Sequence, residues 1–141
     1  WDEKILNEFS NKKDNFYLIH CNDGMRGPGN KYANVPPLAV NSFIHRDYVE
    51  TVGHYMEVIE PDTFGDTYLD KVFELLDRKI YFHDIMIRHK HFSEYGGKDQ
   101  VSVNIEKTRE GKWDDPNIFR EKLMPEILKE VKIIKAKISN G

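Results

Sequence analysis

Three kinds of side chain in this sequence can carry chemistry, and they sit in short, separated runs. The first is a pair of histidines, His89 and His91, closing the stretch Ile85-Met86-Ile87-Arg88-His89-Lys90-His91. Side chains alternate along an extended strand, so both imidazoles share a face with Ile85 and Ile87, about 6–7 Å apart along the chain. Two imidazoles so placed can ligate one zinc or manganese ion, but such a site needs further ligands from elsewhere. An HxH pair also arises by chance in half-exposed strands. Arg88 and Lys90 take the other face, as solvated charges or as contacts for a phosphate. The second is Asp66, in the setting Phe64-Gly65-Asp66-Thr67 at the head of an amphipathic run. The plainer reading is a helix cap that accepts bonds from free backbone N–H groups. The functional reading is a general base that takes a proton from an acceptor hydroxyl, with Gly65 allowing a substrate close to the backbone. One carboxylate can do both. The third is Cys21, followed by Asn22-Asp23-Gly24. Its neighbour His20 points across the strand and no helix N-terminus precedes it, so a buried structural thiol is favoured over a nucleophile. No Walker A loop, GxGxxG, HExxH or GxSxG occurs.

These residues need elements to hold them. Ile5, Leu6 and Phe9 have helical spacing from the first residues onward, so the numbering looks like that of a domain boundary rather than of a natural start. Phe16 to Cys21 reads as a strand. Asn22 to Pro37, with its Gly-Pro-Gly and Pro-Pro punctuation, reads as a long loop of the kind often found at functional sites. Leu38 to Ile44 reads as a buried strand, and His45 to Gly53 as a short helix stopped by its glycine. Tyr55 to Ile59 reads as extended. Leu69, Val72, Phe73 and Leu76 follow i, i+3, i+4, i+7 and define a helix opened by Asp66. Ile80 to His91 gives one or two strands broken near His83-Asp84. From Pro116 the stripe Phe119, Leu123, Ile127, Val131, Ile134 and Ile138 predicts a long C-terminal helix, kinked or divided at Pro125. Its lysines 129, 132, 135 and 137 mostly avoid that stripe and read as a solvated face. Strands alternating with helices predict an α/β or α+β fold, with a mixed sheet flanked by helices.

Composition narrows the function classes. The 141 residues fit one domain, or a fragment of one, and 39% hydrophobic with 32% charged residues excludes a disordered chain. A net charge of −3 gives no basic field for nucleic acid. One cysteine excludes an internal disulfide and suits a reducing, cytoplasmic setting. No apolar run reaches the ~18 residues that span a membrane.

In chain order, Trp1-Asp2, the strand 16–21, Asn22-Asp23-Gly24, the segment 35–43, the short helix to Gly53, Gly65-Asp66-Thr67-Tyr68-Leu69 and Ile85 to His91 are similar to one known pattern. The chain resembles the C-terminal half of a GT-A-fold glycosyltransferase of the family-2-like, phage and bacterial type. The resemblance implies transfer of a sugar from a nucleotide-sugar donor to a hydroxyl acceptor. Asp66 matches the base that acts on the acceptor in inverting members. His89, or less closely His91, matches the histidine that helps hold a divalent metal, Mn or Mg, on the diphosphate. Asn22, Asp23 and Gly24 fall in the segment that lies near acceptor or donor. The family's Asp-x-Asp motif is absent from these 141 residues, so the resemblance implies a separate nucleotide-binding half upstream, or association with a complementary or second chain. The competing expectations are a non-catalytic interaction domain that kept the scaffold, and, last, a small metal-dependent hydrolase using His89, His91 and a carboxylate.

Overall fold

The computed structural model describes residues 1–25, 37–55, 65–88, 117 and 119–140. The fold is a small mixed sheet between helices, with a long helix at the C-terminal end, in agreement with the expected class. Helix α1 (Asp2–Ser10) precedes strand β1 (Leu18–Asn22). Strand β2 (Ser42–Ile44), helix α2 (Arg46–Val52), helix α3 (Gly65–Leu75) and strand β3 (Lys79–Met86) follow. A π-helical turn (Phe119–Leu123) then runs straight into helix α4 (Met124–Asn140). The sheet order is β2-β1-β3, with β2 antiparallel and β3 parallel to the central strand.

Strand β1 is buried on both faces because each face has its own helical cover. Leu18 joins a core with Tyr48 of α2, Tyr68, Leu69, Val72 and Phe73 of α3, and Ile127, Val131 and Ile134 of α4. The alternate residues Ile19 and Cys21 turn to the other face, where Ile5 and Phe9 of α1 and Ile80, Phe82, Ile85 and Ile87 close a smaller core. Of the helical trio expected at the start, Ile5 is buried, while Leu6 stays 65% exposed.

One boundary differs from the sequence reading and two breaks that it expected take a definite form, each for a local reason. The apolar run 38–44 is a strand only over its last three residues. Upstream, Val40 N–H donates to Leu38 O at 2.9 Å and Ala39 N–H donates to the Asp70 carboxylate at 3.1 Å, so this backbone is committed elsewhere. The break expected near His83-Asp84 is a bulge inside one strand: Cys21 pairs with Phe82, whereas Asn22 pairs with Met86. Pro125 divides the C-terminal helix by following the π turn. Proline offers no N–H and crowds the preceding turn, and the wider π turn accommodates it. The extended segment expected over 55–59 lies, beyond Tyr55, outside the described residues.

The helix ends are specified locally. Gly53 closes α2 at φ +93° and donates its N–H to Val49 O at 2.8 Å. After α3, Arg78 N–H reaches Phe73 O (2.9 Å) and Asp77 N–H reaches Glu74 O (3.0 Å), a double closure with Asp77 left-handed at φ 56°. The chain thus enters β3 directly, and the Arg78 guanidinium holds Asp14 at 2.6 Å beside the start of β1.

A carboxylate is buried among the helices. Glu130 of α4 is 4% exposed, and its carboxylate accepts the hydroxyls of Tyr48 (2.6 Å) and Tyr68, with His54 Nε2 at 3.1 Å. This knot joins α2, α3 and α4. Burial first, and the Glu130 charge second, hold the Tyr48 hydroxyl far above its ordinary titration range. A phenol whose pKa is raised on folding keeps its proton where the unfolded chain loses it. Its stabilising contribution is complete below pH ~10 and declines as pH rises further. Chemical denaturation from pH 9 to 11.5 is expected to show stability falling with a slope that Tyr48→Phe reduces by up to about one proton. An unchanged slope in that variant contradicts the assignment.

Candidate functional site

Strand β1 ends in Asn22, and the next two residues form a tight double turn. Asn22 Oδ1 accepts Gly24 N–H and Asp23 Oδ1 accepts Met25 N–H, both at 2.9 Å. Such side-chain-to-backbone bonds are why Asn and Asp are favoured in turns. Gly24 stands at φ +77°, and a Cβ there would meet Arg88 Cγ at 3.5 Å and Met86 Sδ at 3.8 Å. The turn therefore folds against the end of the parallel neighbour β3. Ile87 N–H donates to Asn22 O at 2.8 Å, Asn22 Nδ2 reaches His83 O at 3.4 Å, and Asn41 Nδ2 donates to Ile87 O at 2.5 Å. Asn22, Gly24, Asn41 and Arg88 thus meet where both parallel strands finish, the end at which open α/β sheets bind ligands.

Within this cluster the residues have unequal roles. Asp23 is 3% exposed, and its carboxylate shapes the turn from inside. Asn22 is half-buried and likewise spends its side chain on the turn. Gly24 lets Arg88 cross close to the backbone, and Arg88 supplies a positive charge at the rim.

Asp66 and Gly65 lie in the first turn of α3. Helix α3 passes into β3 through the three residues 76–78. Asp66 is half-buried, and its Oδ1 accepts Thr67 N–H at 2.8 Å. That bond is to the neighbouring residue, so Asp66 helps satisfy the helix start and keeps a partly open carboxylate. His89 and His91 lie outside the described residues. Among the described residues no three His, Cys, Asp or Glu side chains converge as a metal site.

Cys21 behaves as expected for a structural thiol. It is 2% exposed in the α1-side core. Burial first, then the nearby Asp84 carboxylate, push its thiol above the ordinary range, against an opposing influence from Lys4. Iodoacetamide at pH 8 is expected to label Cys21 only slowly in the native protein and rapidly in denaturant. Fast native labelling would contradict this burial.

Sequence reasoning missed two parts of the arrangement. Asn41 lay within an expected strand, with no motif to distinguish it. Glu130 was legible: it stands three residues after Ile127 and four before Ile134, on the buried stripe of α4. No helix among the described residues is long and apolar enough to cross a membrane. No family model, curated protein or solved structure matches the chain.

Proposed function

We propose that this chain is the acceptor-side part of a glycosyltransferase that moves a sugar from a nucleotide-sugar to a hydroxyl acceptor in the cytoplasm. The observation that supports this reading is the packing of the Asn22-Asp23-Gly24 turn against Arg88 where the parallel strands β1 and β3 finish, with a half-buried carboxylate, Asp66, in the first turn of α3. In this reading Asp66 takes the proton of the acceptor hydroxyl as that oxygen attacks the sugar's anomeric carbon. The bond from the sugar to the diphosphate breaks, and the nucleoside diphosphate leaves. Arg88 offsets negative charge at the rim. Gly65 and Gly24 permit close approach of ligand to backbone.

The described residues alone do not assemble a metal site. A divalent ion in this reading, Mn or Mg, would draw on His89 and His91, one and three residues after Arg88, and on ligands from a nucleotide-binding half. Such an ion would stabilise charge on the leaving diphosphate.

Calorimetry with Mn²⁺ and a panel of nucleotide-sugars tests the proposal, on this chain and on a polypeptide extended upstream. Metal-dependent binding of a nucleotide-sugar by the extended polypeptide is the expected result. Absence of any such binding there would overturn the reading and leave a scaffold serving interaction alone.

A further inference from the structure

A groove of about 420 Å³ opens beside the Asn22 turn, between Trp1, Asn41, Ser42, Phe43, Tyr55 and Met86. Its size falls within the roughly 300–1,000 Å³ of small-molecule sites. Two aromatic rings stand out to solvent here, Trp1 at 64% and Tyr55 at 41% exposure. Neither hangs loose. The Trp1 indole leans on Phe43, with ring centres 5.6 Å apart and planes at 44°. The Tyr55 hydroxyl lies 3.2 Å from Ser42 Oγ. The Asn41 amide is fixed through its nitrogen to Ile87 O.

We propose that this groove is a saccharide subsite that takes the ring of an uncharged sugar. A pyranose has two kinds of surface. Its axial C–H groups form an apolar face that packs on an aromatic ring, and its equatorial hydroxyls need donors and acceptors at the edge. Trp1 and Tyr55 offer the first kind of contact; the Asn41 amide oxygen, Ser42 and the Tyr55 hydroxyl offer the second. None of the side chains lining the groove is charged. A phosphorylated ligand, which needs a countercharge when desolvated, is therefore disfavoured, and a neutral polyol fits. The link from Asn41 through Ile87 to Asn22 O joins the groove to the candidate site. On the glycosyltransferase reading, the sugar bound here is the acceptor; binding of a free sugar does not depend on that reading.

Heteronuclear NMR on the intact chain, titrated with neutral mono- and disaccharides and separately with uncharged nucleosides, tests the subsite without metal or nucleotide-sugar. The expected result is a saturable shift of the Trp1 indole N–H and the Asn41 amide with at least one saccharide. Trp1→Ala is expected to weaken that binding about tenfold, and Tyr55→Ala provides an independent second variant. No shift with any saccharide, shifts with nucleosides only, or shifts that persist in both variants would overturn the proposal. Saccharide binding alongside failure of nucleotide-sugar binding in the extended polypeptide would support the groove while removing the transferase reading.

Discussion

Glu130→Ala is expected to destabilise the fold by about 3–5 kcal/mol, the largest effect of any single substitution considered for this chain. The carboxylate accepts the hydroxyls of Tyr48 and Tyr68, and both tyrosines are fully buried. Truncation strands two hydroxyls at about 1–3 kcal/mol each and opens a cavity between three helices. A buried charge is not favourable in itself, because its desolvation opposes its attractions. The cost therefore comes from breaking the knot rather than from losing a charge. Glu130→Gln separates the two ideas: it keeps the shape and one acceptor oxygen, and is expected to cost only about 1–2 kcal/mol. The triple replacement Glu130→Leu, Tyr48→Phe, Tyr68→Phe removes both stranded hydroxyls, leaves His54 with its side chain 31% exposed to solvent, and should recover much of the stability lost by Glu130→Ala. Urea denaturation of the series measures this. A loss under about 1 kcal/mol for Glu130→Ala would show that the carboxylate does not bind the helices together.

Asp66→Asn is expected to lower sugar transfer by about 10²–10⁴-fold in a polypeptide that carries the nucleotide-binding half, with stability almost unchanged. The amide oxygen of Asn can still accept Thr67 N–H, which Asp66 Oδ1 now accepts at 2.8 Å, and Asn is as good a helix starter as Asp. It cannot take a proton. The substitution therefore keeps the structural role and removes the chemical one. Expected together are an unchanged midpoint of thermal unfolding, little change in the acceptor's KM, and a collapse of kcat. Full activity in Asp66→Asn would leave Asp66 with its helix-start role alone.

The elements of this fold were legible from sequence wherever the signal is local. Of Ile5, Leu6 and Phe9, the first is buried and the last partly so, while Leu6 faces solvent. Leu69, Val72 and Phe73 of α3, and Leu76 just after it, have the spacing of one helix face and are all buried. Gly53 stops α2 because φ +93° suits a residue without a Cβ. The strand signal was weaker. Leu38-Ala39-Val40 looks like the start of β2, but its amides bond to Leu38 O and to Asp70, thirty-one residues away from Ala39. No reading of hydropathy along the chain reveals that competition.

The candidate site divides in the same way. Asn22-Asp23-Gly24 was readable as a turn because Asn and Asp side chains bond the backbone two residues on. That Asp23 would be spent inside the turn followed only from its burial in three dimensions.

By itself, then, the sequence determined the helices, the Gly53 stop of α2, the central strand and the turn that ends it, since periodicity and capping act over a few residues. Only the tertiary structure decided that Glu130 meets Tyr48 and Tyr68, 82 and 62 residues distant. The same holds for β3 pairing in parallel beside β1, so that Arg88 crosses Gly24, and for the groove that gathers Trp1, Asn41 and Tyr55. Those pairings depend on how layers pack. Spacing along a chain specifies which face of an element is apolar, but not which residues of other elements that face will meet.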